Sequence, residues 1–496
     1  MRWNSADAAD VSQALATARG AQPAWAGAPV TERARVLERF RKLLFARRHE
    51  AAELVSRENG KPQIEAMGEV MLTLDFARFY SSRKALRALR TERFTPQSMA
   101  MWRKRIEILH EPLGVVGVIA PWNYPLMLPA GVVIPALIAG NAVLLKPSEF
   151  TTASALMLRE FLREAGVPDG VVTVLTGAGD TGRALTTAGV DKVFFTGSEA
   201  TGRAVAVACA ERLIPCSLEL GGSDPAIVLA SADVNIAADG ILWGRCFNAG
   251  QTCVAAKRVF VEAPAYDAFL AAIGARVREL NVSLERSSAE VGTLIRPMQQ
   301  ELLHAQLRDA LAQGARIVAS ASGPSDVFMP TILADVSDEM RVMREETFGP
   351  LLPVIRVTDA KEAVRLANAS TYGLSASVWG AEPQASRIAK QLDAGTIVIN
   401  DALISAGLAE VPHGGMKRSG SGRSHGVAGL LECVKTRTLV HETLPGKPQV
   451  WWFPYGEALA QGMDAFLTMA HGSGTARLRG LLGARTLASR LKSRRR

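Results

Sequence analysis

Twenty consecutive residues without a charge, Leu126–Leu145 (LMLPAGVVIPALIAGNAVLL), restrict the fold more than any other stretch of this chain. A run of that length can cross a bilayer. Pro129, Pro135 and the Gly140-Asn141 pair interrupt it, however, and we read it as a buried helix followed by a buried strand. A strand that is apolar on both faces belongs in a parallel sheet with helices packed against each side. An α/β protein is therefore expected.

The flanking sequence repeats the theme. From about residue 105 to Leu220, short runs such as NAVLLKP, VVTVLTG and KVFFTG alternate with helical stretches. A second series (AIVLA, RVFVE, LLPVIRV, GTIVIN) extends from about 222 to 420. Such alternation is the pattern of βαβ units. Residues 5–90 read as helices, with Val36, Phe40, Leu43 and Leu44 spaced three and four apart, and TRTLVHE (436–442) reads as one late strand. The 496 residues suffice for two or three domains.

The net charge of +9 raises nucleic acid as a partner, but its distribution argues against one. Arg477, Arg479, Arg485, Arg490, Lys492, Arg494, Arg495 and Arg496 stand in a tail that holds no acid after His471, and the preceding body is nearly neutral. The five cysteines are odd in number and form no C-x-x-C or metal-ligand spacing. A reducing compartment and no metal are expected. The start, MRWNSADAAD, carries acids and lacks the apolar segment of a secretion signal, so a cytoplasmic location is expected.

Three segments carry candidate chemistry. In FTGSEATG, Gly197 and Ser198 close a strand and open a helix, a turn whose amides can approach a pyrophosphate. In SLELGG, Glu219 ends an apolar strand; it is either an exposed strand-end carboxylate or a desolvated one fit to act as a general base. In FNAGQTCVAAKR, Cys253 is either an inert core thiol or a nucleophile. Ala249, Gly250, Thr252, Ala255 and Ala256 around it are small, and we read them as clearing a substrate's approach.

Taken together with ENGKP, PWNYP, KPSE, EETFGP, TYGLSA and GGMKRSGSGR, these segments make the chain resemble NAD(P)-dependent aldehyde dehydrogenases of the hydrolytic, non-CoA-acylating type, over about residues 5–445. The motifs occur in that family's order and at its spacings. The resemblance implies a Rossmann-type cofactor domain (1–94 and 114–220), an α/β catalytic domain (221–422), a small β bridging and oligomerisation unit (95–113 and 423–445) and an extension (446–496) with the basic tail. It implies Cys253 as the thiolate that attacks the aldehyde and Asn123, with the Cys253 amide, as the oxyanion donor. Glu219 would activate the water that hydrolyses the thioester. Trp122, Lys146, Glu149, Gly197, Ser198, Leu220, Glu346 and Phe348 would bind the dinucleotide. A carboxylate at Glu149 favours NAD, with NADP possible.

Relatives that act on succinic semialdehyde place arginines where this chain has Phe247 and Gly131, so a substrate carboxylate would lack its partners. A helix starting at PWNYP would present Tyr124, Met127 or Leu128, and Gly131 on one face. With Phe247 these would form a roomy apolar tunnel for a hydrophobic aldehyde. His413 replaces the aromatic residue usual in the family, and is either a plain loop residue or part of the tunnel mouth. The tail, outside the family pattern, is either a solvated extension or a basic amphipathic anchor for membrane surfaces, with Leu478, Leu481, Leu482, Leu491 and the upstream WWFPY as its apolar part. The late strand implies a homodimer or homotetramer. A CoA-acylating relative and a non-catalytic membrane-associated homologue are the alternatives.

Overall fold

A computed structural model describes residues 3–447 and 449–493, with side chains as far as residue 483. The uncharged run resolves into the helix Met127–Ala139 and the strand Ala142–Lys146, with Gly140 in the left-handed conformation (φ 96°) between them. The strand is buried throughout, as is nearly all of the helix. Among the described residues no helix is long and apolar enough to cross a membrane.

Ala142–Lys146 belongs to a six-stranded sheet. Its order is Gly420–Ser421, Cys216–Glu219, Lys192–Thr196, Val115–Ile119, Ala142–Lys146 and Val172–Val174. All neighbours run parallel except the two-residue edge strand Gly420–Ser421. The chain builds outward from Val115–Ile119 on one side, then returns to add Lys192–Thr196 on the other. That reversal opens a crevice at the carboxyl ends of the two strands, the usual ligand position in a doubly wound sheet.

A second sheet of seven strands runs Arg316–Ser320, Thr331–Ala334, Leu351–Val357, Ala256–Glu262, Asp224–Val228, Ser375–Trp379 and Thr396–Ile399. It is parallel apart from its antiparallel first strand. Its apolar residues form two clusters, one on Phe269, Ile273 and Trp379 and the other on Phe260, Leu303 and Leu333.

The chain divides into two compact units at Leu89/Arg90, His110/Glu111 and Lys435/Thr436. The second unit therefore begins five residues earlier than the expected bridging unit in its first segment and thirteen later in its second. The physical reason lies in what residues 420–435 touch. Gly420 pairs with Glu219, Lys192 forms an ion pair with Glu432, and the Cys433 carbonyl accepts from Asn141, so this segment is part of the larger unit's core. The smaller unit holds Glu92–Phe94, most of Lys104–Pro112 and most of the largely exposed strand Val434–Glu442. It also holds two helices, Glu457–His471 and Gly474–Ser493. They pair antiparallel, because Gly480 and Gly483 let the second helix come close to Met469 and Ala465. Within the extension, Glu457–His471 and Gly474–Ser493 are thus helical, so a fully frayed tail does not describe these residues. Arg494, Arg495 and Arg496 lie outside the described residues.

Asn141 joins the run to the rest of its unit. Fully buried, it accepts from the Gly114 amide and donates to the Ala136 and Cys433 carbonyls. Asn141→Ala leaves these groups without partners, at about 1–3 kcal/mol for each one stranded. We expect a clear drop in the denaturant midpoint, with activity at low temperature retained.

Candidate active site

The two sheets present opposite ends to one cleft. From the six-stranded sheet come the residues just after its strands: Trp122 and Asn123 after Val115–Ile119, Gly197 and Ser198 after Lys192–Thr196, and Glu219 and Leu220 at the end of Cys216–Glu219. From the seven-stranded sheet come residues just before its strands: Cys253 before Ala256–Glu262, and Glu346 and Phe348 before Leu351–Val357. All nine line one cavity of about 280 Å³.

Cys253 is delivered by an unusual turn. Asn248, Ala249 and Gly250 all adopt left-handed backbone angles, with φ of 55°, 51° and 73°. The first two residues are not glycine, and each such residue costs roughly 1–2 kcal/mol. Hydrogen bonds hold the turn: the Asn248 amide donates to both oxygens of buried Glu65, and the Gln251 side chain donates to the Asn248 carbonyl and accepts from the Ile295 amide. This corrects our reading of the small residues. A Cβ on Gly250 would stand 2.4 Å from the Gly349 backbone, and Ala256 is buried in its strand. For Gly250 and Ala256 smallness serves the turn and its packing, whereas Thr252 lines a cavity that reaches Cys253.

Asn123 is fixed from several sides. One hydrogen of its side-chain amide goes to the Gln251 carbonyl (3.0 Å), and the group carries a second. Its backbone carbonyl accepts from Lys61 Nζ (2.9 Å) and Asn248 Nδ2 (2.8 Å). Lys61 and Glu69 are a fully buried ion pair 2.8 Å apart. The other Glu69 oxygen accepts from the Leu126 and Met127 amides, capping the helix that follows.

Both oxygens of Glu219 are sealed from solvent, with no close hydrogen bond and only the more distant Ser424 beside them. Burial pushes its pKa up to about 8, with the Ser424 hydroxyl and Arg423 pulling the other way. The carboxylate alternative to an exposed strand end is therefore the observed one. Burial also pushes the Cys253 thiol up to about 12. A side chamber of about 20 Å³ is lined by Glu219, Cys253, His413, Ser424 and His425 among others. That is room for about one water molecule. His413 and His425 are buried, stacked 5.3 Å apart, and held neutral by desolvation, which takes His413 down to about 4.

The cleft suits a dinucleotide. The helix Glu199–Ala210, capped by Ser198, opens onto it with the positive end of its dipole. Trp122 and Phe348 meet edge to face at 5.6 Å. Glu346 lies so close over Gly221 that a Cβ there would stand 2.1 Å from its carboxylate. Lys146, buried, and Glu149, half exposed, stand 3.8 Å apart beyond the cleft lining, after the next strand of the sheet.

A second cavity of about 250 Å³ also reaches Cys253. Tyr124, Met127, Leu128, Phe247 and His413 line it, with Met71, Leu72, Trp243, Val254, Leu403 and Ile404. Its lining contains no arginine or lysine. Two expectations need correction. The helix starts at Met127, where Glu69 caps it, so Tyr124 precedes it and donates or accepts through its hydroxyl at Thr252 Oγ1 (2.7 Å). Gly131 does not line the tunnel; it packs beneath Phe76 and His425. His413 is a buried wall of both the tunnel and the side chamber rather than a plain loop residue.

Sequence reasoning missed Lys61, Glu69, Asp224, Lys257 and His425. ENGKP, FNAGQTCVAAKR and GGMKRSGSGR flagged the neighbourhoods of Lys61, Lys257 and His425 without giving any of them a role, and nothing in the sequence singled out Glu69 or Asp224.

A family model described as "Aldehyde dehydrogenase family" matches residues 1–439. The chain is 39% identical over 478 residues to 4,4'-diapolycopene aldehyde oxidase of Methylomonas sp, covering 95% of this chain and 89% of that protein. Among solved structures it is similar to an NAD-dependent aldehyde dehydrogenase from Sinorhizobium meliloti (34% identity, 91% of this chain and 90% of that chain, TM-score 0.86). It is also similar to a succinate-semialdehyde dehydrogenase from Burkholderia pseudomallei (35%, 88% and 90%, TM-score 0.84).

With Glu219 as the base, hydrolytic turnover should rise with pH and level off above about 8, where the carboxyl has lost its proton. Glu219→Gln should abolish that limb and slow turnover about 100-fold or more. Stability should respond in the opposite sense. The folded carboxyl keeps its proton up to about 8 while the unfolded one releases it near 4.5, so stability falls as pH rises between these values. The melting-temperature advantage of Glu219→Gln should therefore widen from pH 5 to pH 8 in calorimetry.

Proposed function

This chain belongs to the aldehyde dehydrogenase family, and we propose that its substrate is a hydrophobic aldehyde, aliphatic, aromatic or isoprenoid, that enters through the apolar tunnel to Cys253. The enzyme oxidises an aldehyde to its carboxylic acid with NAD or NADP. The tunnel's lack of any arginine or lysine is the observation that carries the substrate proposal. The relative named for diapolycopene aldehyde accords with it, whereas the one named for succinic semialdehyde acts on a carboxylate that would find no partner here.

In the proposed mechanism Cys253 releases its thiol proton to water in the cleft, Sγ bonds to the aldehyde carbon, and the carbonyl electron pair moves onto oxygen. The Cys253 amide and the free hydrogen of the Asn123 amide meet that charge; one such donor is typically worth about 3 kcal/mol. Bound NAD(P) supplies the acceptor for the hydrogen and electron pair that leave carbon. Cys253 then holds the acyl group as a thioester. Glu219 takes a proton from water in the side chamber as the oxygen adds to the acyl carbon, and the C–S bond breaks to give acid and thiol. Trp122, Gly197, Ser198, Leu220, Glu346 and Phe348 would hold the pyrophosphate and nicotinamide half of the cofactor, and Lys146 and Glu149 its adenosine ribose. The Glu149 carboxylate would repel a 2′-phosphate, favouring NAD. The buried Glu219 carboxyl also argues against a CoA-acylating reaction, which needs no water-activating base.

An aldehyde panel assayed with both cofactors tests this. Long-chain or aromatic aldehydes should exceed succinic semialdehyde in kcat/KM by about 100-fold or more, because a charge in an apolar site without a partner is costly. NAD should exceed NADP, and free acid should form without CoA. A preference for succinic semialdehyde overturns the substrate proposal.

We further propose a cytoplasmic homodimer or homotetramer, with the exposed strand Val434–Glu442 as the joining edge, and peripheral membrane contact through the C-terminal extension. Trp452, Phe453 and Tyr455 are exposed, as are Leu467, Leu478, Leu481 and Leu482. Basic residues follow without any acid, a combination suited to anionic lipid surfaces. In flotation with vesicles containing anionic lipid, full-length protein should float and a chain lacking 472–496 should float less. Equal flotation ends the membrane proposal.

A further inference from the structure

Beneath the nucleophile loop lies a buried cation that the reaction as described does not use. Lys257 is the second residue of the strand Ala256–Glu262, and its side chain has no solvent exposure. An ammonium so placed must be compensated by what it touches. Its Nζ donates to the carbonyls of Thr252 (3.1 Å) and Cys253 (2.5 Å), and lies 3.4 Å from Glu346 Oε1. Lys257 therefore grips the peptide that carries the nucleophile, and at the same point meets Glu346, the carboxylate proposed to face the nicotinamide half of the cofactor.

The surroundings give this cation further weight. Asp224 opens the neighbouring parallel strand, opposite Ala256, and is 3% exposed. One of its oxygens accepts from Ser375 Oγ at 2.5 Å; the other is buried without a hydrogen bond. The ionisable groups that bear on the Cys253 sulfur are thus Lys257, Asp224, Glu346 and Glu219, one ammonium against three carboxyl groups, of which Glu219 carries charge only above about pH 8. Burial is the main obstacle to a thiolate here, the three carboxyls add to it, and Lys257 opposes them. Two further buried cations nearby are occupied by backbone carbonyls, Arg245 by those of Gly250, Ala256 and Thr347 and Arg258 by those of Ser223, Leu366 and Ala367.

We propose that Lys257 is a positioning residue for the nucleophile, whose ammonium both fixes the Thr252–Cys253 carbonyls and offsets the acidic groups around the sulfur so that Cys253 can carry negative charge. This rests on Cys253 being the nucleophile. A residue that only packed the loop would leave the charge on the sulfur untouched.

The test compares Lys257→Met, which removes charge and donors, with Lys257→Gln, which keeps a donor but no charge. The readout is the pH dependence of iodoacetamide alkylation at Cys253 in the full chain, followed by mass spectrometry of its peptide. Steady-state kinetics accompany it. Both variants should shift the alkylation profile upward by about one pH unit or more, so that alkylation near pH 8 slows about tenfold. Their kcat should fall with KM changing less than about threefold, the pattern of an interaction made mainly in the transition state. If Lys257→Met leaves Asp224 uncompensated and fails to fold, Lys257→Gln, whose amide keeps a donor for the Thr252 and Cys253 carbonyls, carries the test. A wild-type profile in Lys257→Gln overturns the proposal even if kcat falls. Alkylation does not depend on turnover, so this result is separable from the assay of Cys253→Ala, whose continued activity would overturn the nucleophile assignment itself.

Discussion

A backbone wound the wrong way sets the geometry on which the rest of the site depends. Three successive left-handed residues, Asn248, Ala249 and Gly250, turn the chain sharply between the helix Val234–Cys246 and the strand Ala256–Glu262. L-residues resist this conformation, so the turn exists only because its surroundings hold it. Glu65 takes the first amide, Gln251 ties the turn to Ile295, and Asn248 reaches Asn123. Backbone strain maintained by a surrounding hydrogen-bond network is a recurrent property of reactive positions.

That network is assembled from charges removed from water. Lys61, Glu69, Arg245, Lys257 and Asp224 are all buried, and each is matched by an opposite charge, a backbone group or a hydroxyl. Desolvation also governs the two groups assigned to chemistry. It raises the Cys253 thiol to about 12 and the Glu219 carboxyl to about 8, disfavouring the charged form of each. The reactivity of the site must be raised by local fields and by what binds in the cleft.

The sequence made the architecture legible because buried parallel strands read as continuous apolar runs, and NAVLLKP, KVFFTG and LLPVIRV are each such a run. The positions of Cys253, Glu219 and Asn123 in one cavity followed from motifs that sit at strand ends. What stayed hidden depends on partners far away in the chain. The helix after PWNYP starts at Met127 because Glu69, 58 residues earlier, caps it. Misplacing that start misassigned Gly131 to the tunnel. Residues 423–435 cluster with the larger unit through partners distant in the chain, Lys192 pairing with Glu432 and Asn141 donating to the Cys433 carbonyl. Lys257 and Asp224 look like ordinary charged residues in a string of letters, and only the packing shows that they are enclosed.

Arg245 joins parts of the molecule that would otherwise vary separately. Its single guanidinium, with no exposure to solvent, takes up carbonyls from the nucleophile turn at Gly250 and from Thr347, the residue between Glu346 and Phe348. Substitutions that reshape the nucleotide-facing loop will therefore be felt at the sulfur. During divergence the two loops are expected to co-adapt, and attempts to retune coenzyme choice from residues 345–349 will need compensating changes around 245–251.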